Sequence, residues 1–243
     1  MMNYRWLLFD ADDTLFDFHS AQDFSLTKTL VHFGLDPTPQ RKQRFKTINA
    51  GLWADFDQGK ITQEALVVER YARFLEQEGV EGDPATWNDY GLHALAENPL
   101  LIPGAERLCR NLSEKYTLAL VTNGVDYVQR SRLEASPLAR YFGDRVYISG
   151  EMGCRKPEKR FFDLVLEDLG ATRSKSQVLV IGDSLSSDIT GAFNARLDSV
   201  WIHWPGARTG VVKPTYEVEN LAQLAKLLGA DRLVPLSLSD FRS

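Results

Sequence analysis

The chain has 243 residues, 44% hydrophobic and 25% charged, with a net charge of −5: the make-up of a water-soluble protein with one large core or two modest ones. Lys and Arg are scattered rather than run together, so no nucleic-acid polymer is expected as a partner. No apolar stretch reaches the roughly 20 residues of a membrane helix, and the first residues lack the pattern of a secretory leader, so a cytoplasmic protein off the membrane is expected.

In chain order, the first element is a short apolar run, Trp6-Leu7-Leu8-Phe9, read as a buried strand. From about Ala21 to Asn98 the spacing turns helical, with Phe24, Leu26, Leu30 and Val31, then Leu66, Val67, Tyr71, Phe74 and Leu75, and no convincing strand. Strands return with Thr117 to Val121, Arg145 to Ile148, Val178 to Ile181 and Ser199 to Ile202. Runs that are apolar throughout, each followed by a helical segment, suit a parallel sheet covered on both faces. The expected fold is α/β: a Rossmann-like, doubly wound parallel sheet of five strands formed by residues 1–18 and 99–243, with a helical cap, 19–98, inserted after the first strand. The tail from Gly229, with Pro235 and several Ser, is expected to be loosely ordered.

In a doubly wound sheet ligands bind beyond the carboxyl ends of the strands. The residues there are Asp10-Ala11-Asp12-Asp13-Thr14-Leu15 after the first strand and Thr122-Asn123-Gly124 after the second. Arg155-Lys156-Pro157 follows the third, and Gly182-Asp183-Ser184-Leu185-Ser186-Ser187-Asp188 the fourth. Two carboxylates at i and i+2, joined by a third from another strand, supply enough negative oxygen to hold a hard cation such as Mg2+. A lysine beside them would offset the repulsion between a carboxylate and a phosphate dianion.

Each segment alone has an ordinary reading. Asp-x-Asp is usually a turn or a cap, Thr-Asn-Gly a turn, Arg-Lys-Pro a solvated loop, and Gly-Asp-Ser the start of a helix. Four of them in order, each at a strand end or an adjoining loop, outweigh that reading. His19, His32, His93 and His203 are dispersed without metal-like spacing, Cys109 and Cys154 suggest neither a disulfide framework nor a zinc site, and Cys154 is read as a plain thiol.

These segments resemble the four motifs of the haloacid dehalogenase-like superfamily, and the resemblance covers nearly the whole chain. It implies a phosphatase in which Asp10 takes the phosphoryl group, Asp12 acts as acid and base, and Thr122 and Lys156 complete the catalytic set. It also implies phosphoryl contacts at Asn123 and Gly124 and a magnesium site drawn from Asp10, Asp12, Asp183 and Asp188. In that reading Asp183 touches the metal directly, and Asp188 holds a metal-bound water or positions Lys156.

Within the superfamily the opening Leu7 to Phe16, the stretch Asn49 to Thr62, Val121 to Gly124 and residues 149–157 resemble bacterial pyrimidine 5′-nucleotidases. Gly150 and Cys154 depart from that pattern. The implied substrate is a small phosphate ester, a pyrimidine nucleoside monophosphate, with Trp53, and less directly Phe56 and Tyr71, as candidates to stack the base. Phosphoglycolate phosphatases and phosphosugar mutases share all four motifs. A haloacid dehalogenase would have no use for Asp12 or Asp183, and a non-enzymatic relative would be expected to have lost one of Asp10, Asp12, Lys156 and Asp183.

Overall fold

The computed structural model describes residues 3–204 and 212–231. Its sheet is parallel, with strands β1 (Trp6–Phe9), β2 (Thr117–Thr122), β3 (Val146–Ile148), β4 (Val178–Gly182), β5 (Asp198–Ile202) and β6 (Tyr216–Val218) in the order β3-β2-β1-β4-β5-β6. The sequence gives no sign of β6: it is three residues at the sheet edge with Glu217 facing solvent, too short to stand out from a loop.

β1 shows why a continuously apolar run is needed at the centre. Leu7 and Phe9 pack into the cluster beneath one face, while Trp6 and Leu8 pack beneath the other, so neither face has room for a polar side chain. The helices of the sheet domain are α5 (Ala105–Ser113), α6 (Asp126–Glu134), α7 (Ala139–Phe142), α8 (Ser149–Met152), α9 (Lys159–Asp168), α10 (Thr190–Ala195) and α11 (Leu221–Leu227), numbered after four earlier ones. α5 and α11 cover the Leu7–Phe9 side through Leu108, Leu112 and Leu224; α9 and α10 cover the other through Phe161, Phe162 and Ala192.

Between β1 and β2 lie helices α1 (Phe18–His32), α2 (Pro39–Asp57), α3 (Gln63–Glu78) and α4 (Pro84–Ala96). Each begins at a side-chain cap, Asp17, Thr38, Thr62 and Asp83 in turn, with Pro39 and Pro84 in the first turn where a missing N–H is harmless. They enclose their own core of Leu26, Leu30, Phe45, Phe74 and Trp87. Leu26 and Leu30 form the inner stripe of α1, whereas Phe24 and Val31, also expected to pack, lie on its other face and are 44% and 60% exposed. The chain leaves and re-enters the sheet domain side by side. Asp17 donates its N–H to the Leu100 carbonyl at 3.0 Å, and Ile102 donates to Leu15 at 2.9 Å.

No helix among the described residues is long and apolar enough to cross a membrane. The tail beyond 231, expected to be loosely ordered, lies outside the described residues. Because Leu8 is fully buried on the central strand, Leu8→Ala is expected to lower stability by about 2–5 kcal/mol. Urea denaturation checks this, and a loss below about 1 kcal/mol would mean that this face of β1 is loosely packed.

Candidate active site

The register of the sheet decides which loops meet. Phe9 lies beside Leu120 of β2 and Ile181 of β4, so the residues that follow all three strands emerge at one edge. β1 sits where the chain turns from building one side of the sheet to building the other, which is the switch point that opens a crevice.

Asp10 still keeps strand pairing, donating its N–H to the Ile181 carbonyl at 2.8 Å. The backbone then coils tightly: Leu15 and Phe16 both donate to the Ala11 carbonyl at 2.9 Å. Asp13 takes the left-handed conformation (φ 55°), one that Asp tolerates better than most residues, and its carbonyl accepts from Trp204 Nε1 at 2.8 Å.

Lys156 is 1% exposed, and its ammonium is fully used. Nζ donates to Asp10 Oδ1 at 2.6 Å, Asp188 Oδ1 at 2.6 Å and the Val121 carbonyl at 2.9 Å. Burial works against this charge, but the two carboxylates more than offset it and raise the lysine above its ordinary value. Asn123 fixes the lysine's backbone from both sides, Nδ2 donating to the Lys156 carbonyl at 2.8 Å and Oδ1 accepting the Lys156 N–H at 3.0 Å. Its side chain is thus committed to Lys156. The Gly124 N–H goes to Thr122 Oγ1 at 3.1 Å, which leaves the buried Thr122 hydroxyl proton for another acceptor.

After β4 the chain makes a single π-helical turn, Leu185–Ile189, that leads into α10. This turn brings Asp188 back beneath the loop, where its Oδ2 accepts from the Ser184 N–H at 3.1 Å. Gly182 is required there, because a Cβ would run into the Asp188 carboxylate. Asp10, Asp183 and Asp188 each offer an oxygen, all within 4.8 Å of one another. Burial, with Lys156 opposing it, pushes Asp10 up to about 7; burial, with Asp10 and Asp188 adding to it, raises Asp183 well above the usual carboxylate range. So much negative charge on hard oxygen donors fits a small divalent cation such as magnesium.

Asp12 stands apart from these three. Its carboxylate accepts from Arg132 Nη1 at 2.5 Å and from Gln129 Nε2 at 2.6 Å, both on α6, and the buried Arg132 lies over the Phe16 ring at 4.7 Å. Neither α6 residue was legible as functional, since Gln and Arg in a helix ordinarily face water.

The crevice is a cavity of about 210 Å³ between the sheet edge and the helical insertion, which contributes Trp53, Asp57 and Arg70. Asp57, raised by burial, accepts from Ser186 Oγ at 2.6 Å. Gln63 Nε2 reaches the Asn123 carbonyl at 2.7 Å, and Arg155 donates to the Phe56 carbonyl at 3.1 Å. Trp53 lines this cavity, whereas Phe56 and Tyr71, 3% and 2% exposed, are packing residues of the helical cores. His19 and His93 are exposed, His32 stacks on Tyr90 and His203 contacts Trp201, none of them lining the cavity. Cys154 is buried and its thiol is pushed up by burial, away from the thiolate.

The fold and the site define an α/β enzyme whose candidate site lies at the strand tips, beneath a helical insertion. A family model for haloacid dehalogenase-like hydrolases matches residues 4–196, and the chain belongs to that family. It is 37% identical to the HAD-hydrolase YfnB of Bacillus subtilis, over 96% of this chain and 99% of that one. Identity to the pyrimidine 5′-nucleotidase YjjG of Escherichia coli is 35%, over 93% and 99%; to the pyrimidine 5′-nucleotidase PynA of Streptococcus pneumoniae it is 34%, over 93% and 96%. The crystal structure of YfnB, bound to magnesium and showing interdomain movement, superposes with a TM-score of 0.87 at 38% identity, covering 93% of this chain and 99% of that one.

Gly182→Ala tests the local packing. The added methyl is expected to push Asp188 off Lys156, lowering stability by about 1–3 kcal/mol and reducing hydrolysis. Denaturation and a hydrolysis assay check it together; wild-type behaviour in both would show that Asp188 can shift freely.

Proposed function

We propose that the protein is a magnesium-dependent phosphomonoester hydrolase that works through an aspartyl phosphate on Asp10 and acts on pyrimidine nucleoside 5′-monophosphates. In this reading residues 19–98 form a cap over a core of residues 1–18 and 99–243, and the reaction belongs to the cytoplasm, where its substrates are. The observation that carries it is the buried lysine shared between Asp10 and Asp188, with Asp183 alongside. Two relatives that are pyrimidine 5′-nucleotidases, each aligned over nearly its full length, support the substrate class.

Asp10, Asp183 and Asp188 would hold the metal, which when bound neutralises phosphoryl charge and favours the ionised form of the buried carboxylates. Lys156 binds Asp10 through Oδ1, leaving the nucleophile's other oxygen to attack phosphorus. As the new Asp10–phosphorus bond forms, the bond from phosphorus to the ester oxygen breaks and its electron pair leaves with the nucleoside. Asp12 protonates that oxygen, then takes a proton from the water that attacks phosphorus in turn, releasing phosphate and restoring Asp10.

Asp12 takes up the acid role once it turns from Arg132 and Gln129 towards the substrate. The Thr122 hydroxyl and the backbone amides of Asn123 and Gly124 would donate to phosphoryl oxygens as charge builds there, the Gly124 N–H after leaving Thr122 Oγ1. A haloacid dehalogenase reading is disfavoured because that chemistry has no leaving group to protonate and no need of three clustered carboxylates. Phosphoglycolate and sugar-phosphate phosphatases or mutases remain the rivals on substrate.

With magnesium, the purified protein is expected to release phosphate from deoxyuridine and thymidine monophosphates faster than from ribose 5-phosphate or phosphoglycolate; the reverse order overturns the nucleotidase reading. Asp10→Asn is expected to lower kcat by about 1,000-fold or more while the fold stays intact by circular dichroism, and retained turnover would remove Asp10 as nucleophile. Chelation is expected to silence the enzyme and added magnesium to restore it, whereas indifference to chelator would sink the metal assignment.

A further inference from the structure

Arg70 of α3 is 6% exposed, in the middle of the helical insertion, yet it lines the same cavity as Asp10 and Lys156. Among the described residues its guanidinium is held by neutral groups. Nε donates to the Val67 carbonyl at 3.2 Å, Nη1 to Asn49 Oδ1 at 3.1 Å and Nη2 to Asn88 Oδ1 at 2.8 Å. The rings of Tyr71 and Phe45 lie 5.5 and 5.8 Å from Cζ. The charged and titratable groups that act on it are Tyr71 and Tyr127, and among the described residues no carboxylate pairs with it.

Two features of this arrangement ask for a ligand. A guanidinium carries five N–H groups and three are used, so each terminal nitrogen keeps one donor. A buried charge without a counter-charge is expensive to maintain and is tolerated where acceptors complete its shell. Asn49, Asn88 and Val67 fix the fork in place, as a recognition group requires.

The rest of the cavity says what kind of group supplies those acceptors. The same cavity is lined by Phe18, Trp53, Leu92, Leu95 and Val128. Apolar walls and a fixed guanidinium with donors to spare suit an occupant that is largely apolar and bears oxygen acceptors. Resting on the nucleotidase reading, we propose that Arg70 is the specificity-determining residue of the site, donating to the exocyclic 4-oxygen of a 2,4-dioxopyrimidine base, so that uracil and thymine nucleotides are selected over cytosine nucleotides. Cytosine presents an amino group at that position, which sets donor against donor, and adenine carries no exocyclic oxygen at all. A short carboxylated ester would satisfy the charge but leave Trp53 and the apolar walls uncovered.

The test is a comparison of kcat/KM for deoxyuridine monophosphate, deoxycytidine monophosphate, the uridine analogue lacking the 4-oxygen, ribose 5-phosphate and p-nitrophenyl phosphate. The measurements are made on the wild-type enzyme, Arg70→Gln and Arg70→Lys. Wild type is expected to favour deoxyuridine monophosphate over the cytosine nucleotide and the 4-deoxy analogue by about 10- to 100-fold, the usual weight of a hydrogen bond from a charged donor. Arg70→Gln is expected to erase that preference, lowering the uracil substrate at least about tenfold more than p-nitrophenyl phosphate, with Arg70→Lys intermediate.

If wild type prefers nucleotides to ribose 5-phosphate but treats uracil, cytosine and the 4-deoxy base alike, the role of Arg70 is refuted while the nucleotidase reading stands. If all substrates fall equally in Arg70→Gln, the residue is structural and the proposal fails. Should ribose 5-phosphate surpass every nucleotide, both readings fall. Where Arg70→Gln does not fold, the wild-type comparison with the 4-deoxy analogue decides alone.

Discussion

A buried ammonium held between two carboxylates is the constraint on which the rest of this site depends. Lys156 reaches Asp10 after β1, Asp188 after β4 and the Val121 carbonyl near the end of β2, so one side chain ties three separate strand ends to a common point. Removing one partner of such a buried pair leaves a charge uncompensated, a loss of about 3–5 kcal/mol. The arrangement therefore resists small displacements. Asn123 grips the lysine's backbone because the ammonium must not wander, and Gly182 lacks a side chain because Asp188 needs the space.

The same economy of charge runs through the cavity. Asp10 and Asp183 are pushed up by burial, and Lys156 opposes that rise at both. Asp12 is provided for separately, by Arg132 and Gln129 on α6. In the proposed mechanism this separation would let the two acidic groups take different tasks, since a nucleophile has to stay ionised while an acid has to carry a proton at the right moment. Arg70 is the converse case, a cation whose protein partners are neutral and whose remaining donors are left for the cavity's occupant.

The helical insertion meets the sheet domain in two ways. One is an apolar patch in which Ala21, Leu92 and Leu95 pack on Val128 of α6. The other is a set of polar links, Asp57 to Ser186, Gln63 to Asn123 and Arg155 to Phe56. Each such bond adds only about 0.5–1.5 kcal/mol, whereas each unit has its own buried core. These contacts border the cavity, which Asp57, Leu92, Leu95, Asn123 and Val128 line.

Much of this was readable along the chain. The apolar runs gave the central strands because a strand buried on both faces admits no polar residue, and the residues directly after them gave Asp10, Thr122 and Asp183 because backbone continuity alone puts them at the strand tips. Lys156 and Asp188 were also legible, the first beside Pro157 and the second at a fixed distance from Gly182. What the sequence could not determine was anything set by contacts between distant segments. Gln129 and Arg132 look like surface residues of a helix until α6 is seen packed over Asp12. Arg70 looks like one more charge on an amphipathic helix until Asn49 and Asn88 arrive from two others. The Asn123 side chain reads as part of an ordinary turn until it is seen gripping the Lys156 backbone. Local sequence carries the period of an element and the chemistry of its ends; which side chains are then desolvated together, and which charge each must answer, is decided only when the chain closes on itself.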